Sequence, residues 1–349
     1  MKVALFQRDL PPDKYGGVAN QVHLLANALA EKGASVTVFT LSGKPDDARY
    51  EVKRVRMPPW VRRAAPLRRF LLGYYFAKAD VRGYDVVHMH GDNFLMSTDK
   101  PHIRTYYGSA LAEALSARHP RRFLSQLLSW ILELAGACRA DLRTAISPAT
   151  KRFIPGIDMI VPCCVDTRRF FPAGGKSPCP AVLFVGTLAG RKRGHLMLKI
   201  FEEVRRRVPE ARLWMVCPEK TAGEGVESFS RVPETELIGL YRRAWVLCSP
   251  SSYEGFGVPV LEAMACGLPV VSADNSGSRF VLKEGEYGLL RKDAQLADAL
   301  VELLSDERKR AAMAEKALMR AGEFNVIRIA ENYLNLYYGT LVRSDPPSD

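Results

Sequence analysis

Apolar residues recur along this chain in two rhythms, short continuous runs and helically spaced stripes, and the two alternate. Runs at residues 3–6, 35–40, 86–89, 103–106 and 157–161 have the length and the Val, Ile, Phe and Tyr content of buried strands. After the first run comes a Pro- and Gly-rich loop at 9–17. Val18, Val22, Leu25 and Leu29 then follow at helical spacing, with Gly33 as a stop. A second series begins after 166–180, where Pro172, Gly174, Gly175, Pro178 and Pro180 mark a linker. It predicts strands at 182–185, 212–217, 246–249 and 269–272, and helices at 195–208 and 234–243. Further helices are expected at 293–304, 306–321 and 325–338, before a frayed tail at 343–349. Strands alternating with helices build parallel sheets. The expected class is α/β, with two Rossmann-like, doubly wound domains at 1–165 and 181–324 joined by the linker. Ligands of such sheets sit at the carboxyl ends of the strands, so two facing sheets create a cleft.

The most specific stretch is YEGFGVPVLEAMACGLPVV at 253–271. It sets Glu254 and Glu262 eight positions apart, around a Gly-Phe-Gly turn and Pro259. Gly255 and Gly257 permit tight backbone geometry beside a ligand. Pro259 suits the first turn of a helix that Gly267 closes. Such a loop offers two carboxylates for sugar and ribose hydroxyls, and the amides of Phe256 to Val258 for a phosphate. Upstream, VGTLAGRKRG at 185–194 puts Arg191, Lys192 and Arg193 on a Gly-flanked loop, a cationic seat for a diphosphate. Gly16 and Gly17 stand between the first strand and its helix, where backbone amides approach a phosphate.

The E-x7-E spacing with EGFG and the following G-x-PVV resembles the retaining family 4 glycosyltransferases of GT-B fold. The resemblance covers nearly the whole chain and is most specific in the second half. It implies that the last helix, 325–342, crosses back to the first domain. That domain would bind the acceptor and the second the nucleotide-sugar. Glu254 would contact the transferring sugar and Glu262 the ribose, with Arg193 and Lys192 on the diphosphate. Gly17, Gly186, Thr187, Val232, Gly255, Phe256, Gly257 and Val258 complete the donor side. Gly16, His23, His88, His90 and Tyr107 form the acceptor side. Three positions depart from the family pattern. Thr187 stands where an Arg is common, Phe280 where Glu is usual, and Tyr107 where a His is expected near the reacting sugar. Tyr107 has an ordinary pKa near 10. It therefore takes a positioning role, or His23 or His102 substitutes. Cys163 and Cys164 likewise replace an Asn-Gly pair ahead of the linker.

Charge narrows the partners. Lys and Arg total 50 against 38 acidic residues, a net +12, which suits an anionic partner. No nucleic-acid motif accompanies it. Arg54, Arg56, Arg62, Arg63, Arg68 and Arg69 lie around Trp60 and the run 67–76, and Arg118, Arg121 and Arg122 precede an amphipathic stretch at 123–138. This pattern fits an anionic membrane surface. No run is long and apolar enough to span a membrane, and no signal peptide is legible. A cytoplasmic location, peripheral on the inner membrane face, is expected. His88 and His90 lack a third ligand for zinc, and no Asp-x-Asp pair occurs. Metal-independent transfer without a cofactor is therefore expected. Its partners would be a nucleotide-sugar donor and a glycan or lipid-linked acceptor, as in polysaccharide or glycolipid assembly. An epimerase or phosphorylase of similar fold, or a non-catalytic sugar-nucleotide-binding partner of another transferase, is the alternative.

Overall fold

The computed structural model describes residues 1–13, 16–58, 68–115, 119–230 and 232–344. It forms two compact units, Met1–Cys164 with Val326–Asp349, and Val165–Asn325. The first unit carries a seven-stranded parallel sheet: β1 (Lys2–Phe6), β2 (Ser35–Thr40), β3 (Glu51–Arg54), β4 (Val86–Met89), β5 (His102–Tyr106), β6 (Leu142–Ala145) and β7 (Met159–Ile160). Their order is β3-β2-β1-β4-β5-β6-β7. The order reverses between β1 and β4, which are hydrogen-bonded neighbours, and the carboxyl ends at such a point form a crevice.

Alternation along β1 explains the layers. Val3 and Leu5 pack with α1 (Gly17–Glu31), through Val22, Leu25 and Leu29. Ala4 and Phe6 face the opposite layer, Leu72 and Phe76 of α2 (Arg68–Ala77). Both faces are covered, so β1 is buried from Val3 onward and reads as a continuous apolar run. Helices α3 (Ala110–Leu115), α4 (Pro120–Ala137) and α5 (Pro148–Phe153) follow β5 and β6.

In the second unit the strands are β8 (Ala181–Val185), β9 (Arg212–Val216), β10 (Val226–Phe229), β11 (Val246–Ser249), β12 (Val270–Ala273) and β13 (Leu289–Arg291). They are parallel in the order β10-β9-β8-β11-β12-β13, reversing between β8 and β11. The helices are α6 (Gly194–Arg207), α7 (Glu234–Arg243), α8 (Val258–Ala265), α9 (Ser276–Val281), α10 (Leu296–Ser305) and α11 (Glu307–Gly322). Val182, Phe184, Met197, Phe201, Leu213, Val246, Leu300 and Leu303 form its core, each full burial contributing about 1.5–3 kcal/mol.

The segment 166–180, expected as a linker, lies along the second unit. Arg242 donates to the carbonyls of Arg169 and Phe171, and the Trp245 indole donates to Ser177. The two ends of this unit meet: the Val165 amide donates to Phe324 O at 2.9 Å, and Val165 forms a bridge with Asn325.

The last helix, α12 (Val326–Ser344), belongs to the first unit. Val326, Ile329, Ala330, Tyr333 and Tyr337 enter the core beside α1. It is longer than expected, so residues 343 and 344 of the anticipated tail are helical, while 345–349 lie outside the described residues. Only Met159–Ile160 of the run 157–161 is strand. Trp60, Arg62, Arg63, Leu67 and Arg118 lie outside the described residues. Among the described residues no helix is long and apolar enough to cross a membrane.

Candidate functional site

In the second unit, the loops after β8 and β11 fold onto one another at the switch point. The Ser252 amide donates to Arg191 O at 2.9 Å, pinning the Glu254 loop to the basic turn Gly190–Lys192. Glu254 is 4% exposed, and its carboxylate is clasped by two cations. Arg191 Nη1 lies 2.5 Å from Oε2 and Lys192 Nζ 2.7 Å from Oε1. The Lys192 ammonium satisfies the distance of an ion pair but leaves Oε1 without a well-directed hydrogen bond, so it supplies mainly charge. Burial alone would raise the Glu254 carboxyl; Lys192 and Arg191, with a Ser251 hydrogen bond, outweigh it and hold the group below its ordinary value.

The floor of this loop has no spare room. A Cβ on Gly277, in α9, would stand 2.6 Å from Glu254 O and 2.8 Å from Phe256 O. Asn275 caps α9 through Ser278 N and donates to Ser251 O, tying the helix to the same loop. Phe256 is buried and packs edge-on against Phe280 and Phe324. Phe280 therefore joins an aromatic cluster beneath the Glu254 loop. Gly257 adopts φ 104° at the start of α8, a conformation that favours glycine.

Glu262 lies one turn into α8, half-buried, and accepts a hydrogen bond from Tyr241 OH at 2.8 Å. Burial pushes its carboxyl up to about 7, opposed by the Tyr241 hydrogen bond and reinforced by Glu234. Arg193 has a different partner from its neighbours. From a left-handed backbone (φ 55°) it reaches Asp293 with two bonds of 2.7 and 2.8 Å, and its Nε donates to Pro250 O. Thus Arg191 and Lys192 meet Glu254, whereas Arg193 braces the loop from outside. Gly186 follows β8, Thr187 Oγ1 bonds Ala189 O, and Val232 stands half-buried between β10 and α7.

In the first unit, the ends of β1, β4 and β5 surround a cavity of about 330 Å³. Gln7, Arg8, His90, Arg104, Tyr107 and Glu133 are among its walls. His88 lies beneath. Its ring is fully buried and bonded to Tyr337 OH (2.6 Å) and Thr105 Oγ1 (2.7 Å), and its centroid lies 4.0 Å from that of the His90 ring, tilted by 38°. His90 Nδ1 is 3.0 Å from Tyr107 OH. Burial, with Arg104 adding, pushes His90 down to about 3, and burial raises Tyr107 well above 10. Both groups are neutral at physiological pH and neither is a strong base.

Gly16 and Gly17 open α1 beside Val18, which lines the cavity. His23 does not line it; its ring is engaged by Tyr50 OH at 2.8 Å and Asp47 at 3.1 Å. His102 starts β5, roughly 16 Å from Tyr107 at about 3.3 Å per residue. The structure thus gathers His88, His90 and Tyr107, while His23 and His102 do not line the cavity, His102 lying opposite Val87 on the neighbouring strand. Arg104, Gln7 and Tyr241 have no motif around them, which is why the sequence did not single them out. Among the described residues no group of three or more His, Cys, Asp or Glu is placed to hold a metal ion.

Residues 167–320 match the family Glycosyl transferases group 1, and residues 15–169 match Glycosyltransferase Family 4. A D-inositol 3-phosphate glycosyltransferase from Corynebacterium jeikeium is 30% identical over 212 residues, 51% of each chain. One of the same name from Kineococcus radiotolerans is 29% identical over 400 aligned positions, covering 92% of this chain and 90% of the relative. The chain spans about half the length of the first curated relatives it matches. Among solved structures, a sucrose-phosphate synthase from Thermosynechococcus elongatus superposes with a TM-score of 0.82 at 22% identity, over 98% of this chain and 99% of that one. That likeness gives the fold, two parallel Rossmann-like sheets of GT-B type. With each half matched by its own family description, the chain belongs to the family 4, group 1 glycosyltransferases.

Proposed function

We propose that the protein is a retaining, metal-independent glycosyltransferase that moves a hexosyl group from a nucleoside diphosphate sugar to an acceptor hydroxyl, in cell-surface polysaccharide or glycolipid assembly. The observation that carries this reading is Glu254, a buried carboxylate kept ionised by Arg191 and Lys192 at the switch point of the second sheet. A diphosphate entering beside the basic turn competes for these cations, and Arg193 adjoins them. Glu254 is then released toward the sugar, where its charge stabilises positive charge developing at the anomeric carbon. The bond from that carbon to the phosphate oxygen breaks, and its electron pair leaves with the diphosphate. The acceptor oxygen bonds to the carbon from the same face, and its proton passes to the departing phosphate. Glu262 accepts ribose hydroxyls, Gly186, Thr187, Val232 and Gly255 line the donor, and the amides of Phe256, Gly257 and Val258 face its phosphate and sugar. Gly16, His88, His90 and Tyr107 position the acceptor, Tyr107 by hydrogen bonding rather than as a base.

An anionic membrane surface is part of the same reading. On α4, Leu124 (62%), Leu128 (46%) and Ile131 (52%) are exposed at i, i+4 and i+7, behind Arg121 and Arg122. The experiment is a metal-free thermal-shift screen against UDP-, GDP-, ADP- and dTDP-sugars, repeated with Glu262→Ala. A shift for one base, weakened in the variant, supports the donor assignment. Consumption of that donor separates a transferase from a binding partner. No shift for any donor, with none consumed, overturns the reading.

A further inference from the structure

Three consecutive cations, Arg191, Lys192 and Arg193, end the loop that follows β8, and Glu254 answers two of them. The third finds its carboxylate beyond another strand. Asp293 opens a 3-10 turn, Asp293–Gln295, just after β13. Its two oxygens take both terminal nitrogens of Arg193, at 2.7 and 2.8 Å, in the parallel fork that fixes a guanidinium most firmly. The same guanidinium donates through Nε to Pro250 O, directly after β11. One side chain therefore ties together the loops at the carboxyl ends of β8, β11 and β13. Pro250 begins the Glu254 loop. Ser251 hydrogen-bonds Glu254, the Ser252 amide donates to Arg191 O, and Arg191 Nη1 donates to Tyr253 O at 3.1 Å. The fork stands at the outer end of this row of contacts, which seats Arg191 and Lys192 on Glu254.

The backbone at Arg193 needs holding. Its φ of 55° lies in the left-handed region, which is costly for a residue with a Cβ and persists where the surroundings impose it. The next residue leaves the turn no room to relax: a Cβ on Gly194 would stand 2.9 Å from Leu188 Cα and 3.0 Å from Thr187 O. An exposed ion pair is ordinarily worth little. Here Asp293 is half exposed, but the Arg193 side chain is only 24% exposed and makes three bonds to two separate loops. Without the Asp293 charge, three adjacent cations would face the single Glu254 carboxylate.

We propose that Asp293 is a positioning residue: by forking Arg193 onto the Glu254 loop it sets where Arg191 and Lys192 stand, and with them the affinity for a diphosphate. Arg193 is then a clasp between loops and not a ligand of the diphosphate. Calling this the donor site rests on the transferase reading; the clasp itself does not.

Two measurements on the full chain test this. In ligand-free protein, hydrogen exchange of segments 187–194 and 250–257 should quicken about tenfold in Asp293→Asn and in Arg193→Gly, while β8 and β9 keep wild-type rates. Glycine suits the left-handed backbone, so Arg193→Gly should fold and melt near wild type. Affinity for UDP, GDP, ADP and dTDP is then measured by titration calorimetry. For whichever nucleotide wild type binds, each single variant should bind about tenfold more weakly, and the double variant no more weakly than the worse single one. Arg193→Lys separates a clasp from direct contact with phosphate. Its ammonium keeps the charge but lacks the fork that spans Asp293 and Pro250 O, so it should lose affinity as Arg193→Gly does. Tighter binding by Asp293→Asn would mean that Arg193, once freed, reaches the phosphate itself. That result, unchanged exchange or unchanged affinity in Asp293→Asn, additive losses in the double variant, or full affinity in Arg193→Lys would overturn the proposal. If wild type binds none of the four while exchange quickens in both variants, the transferase reading falls and the clasp stands. If wild type binds one and Asp293→Asn binds it equally, this inference falls alone.

Discussion

At the ends of β8 and β11 a buried carboxylate meets two cations, whereas midway along β5 the buried Arg104 rests on the Tyr106 ring and shares a cavity wall with Arg8, Asp92, Glu113 and Glu133. The first lies where β8 and β11 flank the reversal of strand order, and β5 stands one strand beyond the corresponding pair, β1 and β4. The difference lies in how each stands before a ligand arrives. The Glu254 site is balanced internally, so a charged ligand must enter by exchanging partners with it. The wall around Arg104 mixes cations and carboxylates, each held by a separate neighbour. The first arrangement needs residues from two loops, the second only a strand and what closes over it.

The largest effect expected from breaking this contrast is on turnover. Glu254→Ala should lower transfer by about 10³-fold or more while the protein still melts cooperatively; near-normal kcat would show that the balanced site is structural. Next comes Gly277→Ala, whose added methyl meets the backbone of Glu254 and Phe256. It should cost about 1–3 kcal/mol in denaturant unfolding, because backbone has little room to move.

Glu262 gives a pH signature of about 1–2 kcal/mol, allowing for partial exposure. Its folded pKa of about 7 exceeds the ordinary 4.5, so the native state holds the proton more tightly. The associated stability is fully present below about pH 4.5 and is lost as pH rises to 7. Differential melting against Glu262→Gln should show wild type declining across that window and the variant flat by comparison. The smallest effect is Tyr337→Phe, which removes the bond to His88 and should cost about 1 kcal/mol by thermal unfolding. A larger loss would mean that the layer under the first cavity is more rigid than one hydrogen bond suggests.

Much of the fold was legible because central parallel strands are apolar on both faces. Residues 3–6, 86–89 and 182–184 are buried strand segments of this kind. The strands β3, β6, β10 and β13 were not singled out. EVKR, LRTA, VESF and LLR are three or four residues long, and each is mixed with charged or polar groups. The Glu254 loop was legible because its chemistry is contiguous in sequence. Partnerships across sequence were not: Asp293 engages Arg193 from 100 positions away, and Tyr337 reaches His88 from 249. Arg104 was hidden for a further reason. In HIRTY it reads as the polar position of an alternating strand, and only the helices packed over β5 make it buried.

The place of α12 has a consequence for synthesis. The second unit starts and finishes at paired neighbours, Val165 and Asn325, so its whole chain has been synthesised once residue 325 is made. The first unit, though begun earlier, still lacks Ile329, Tyr333 and Tyr337 from its core. On a translating ribosome the later half therefore has all its parts first. A chain cut before Tyr337 would injure the half of the protein that was made at the start.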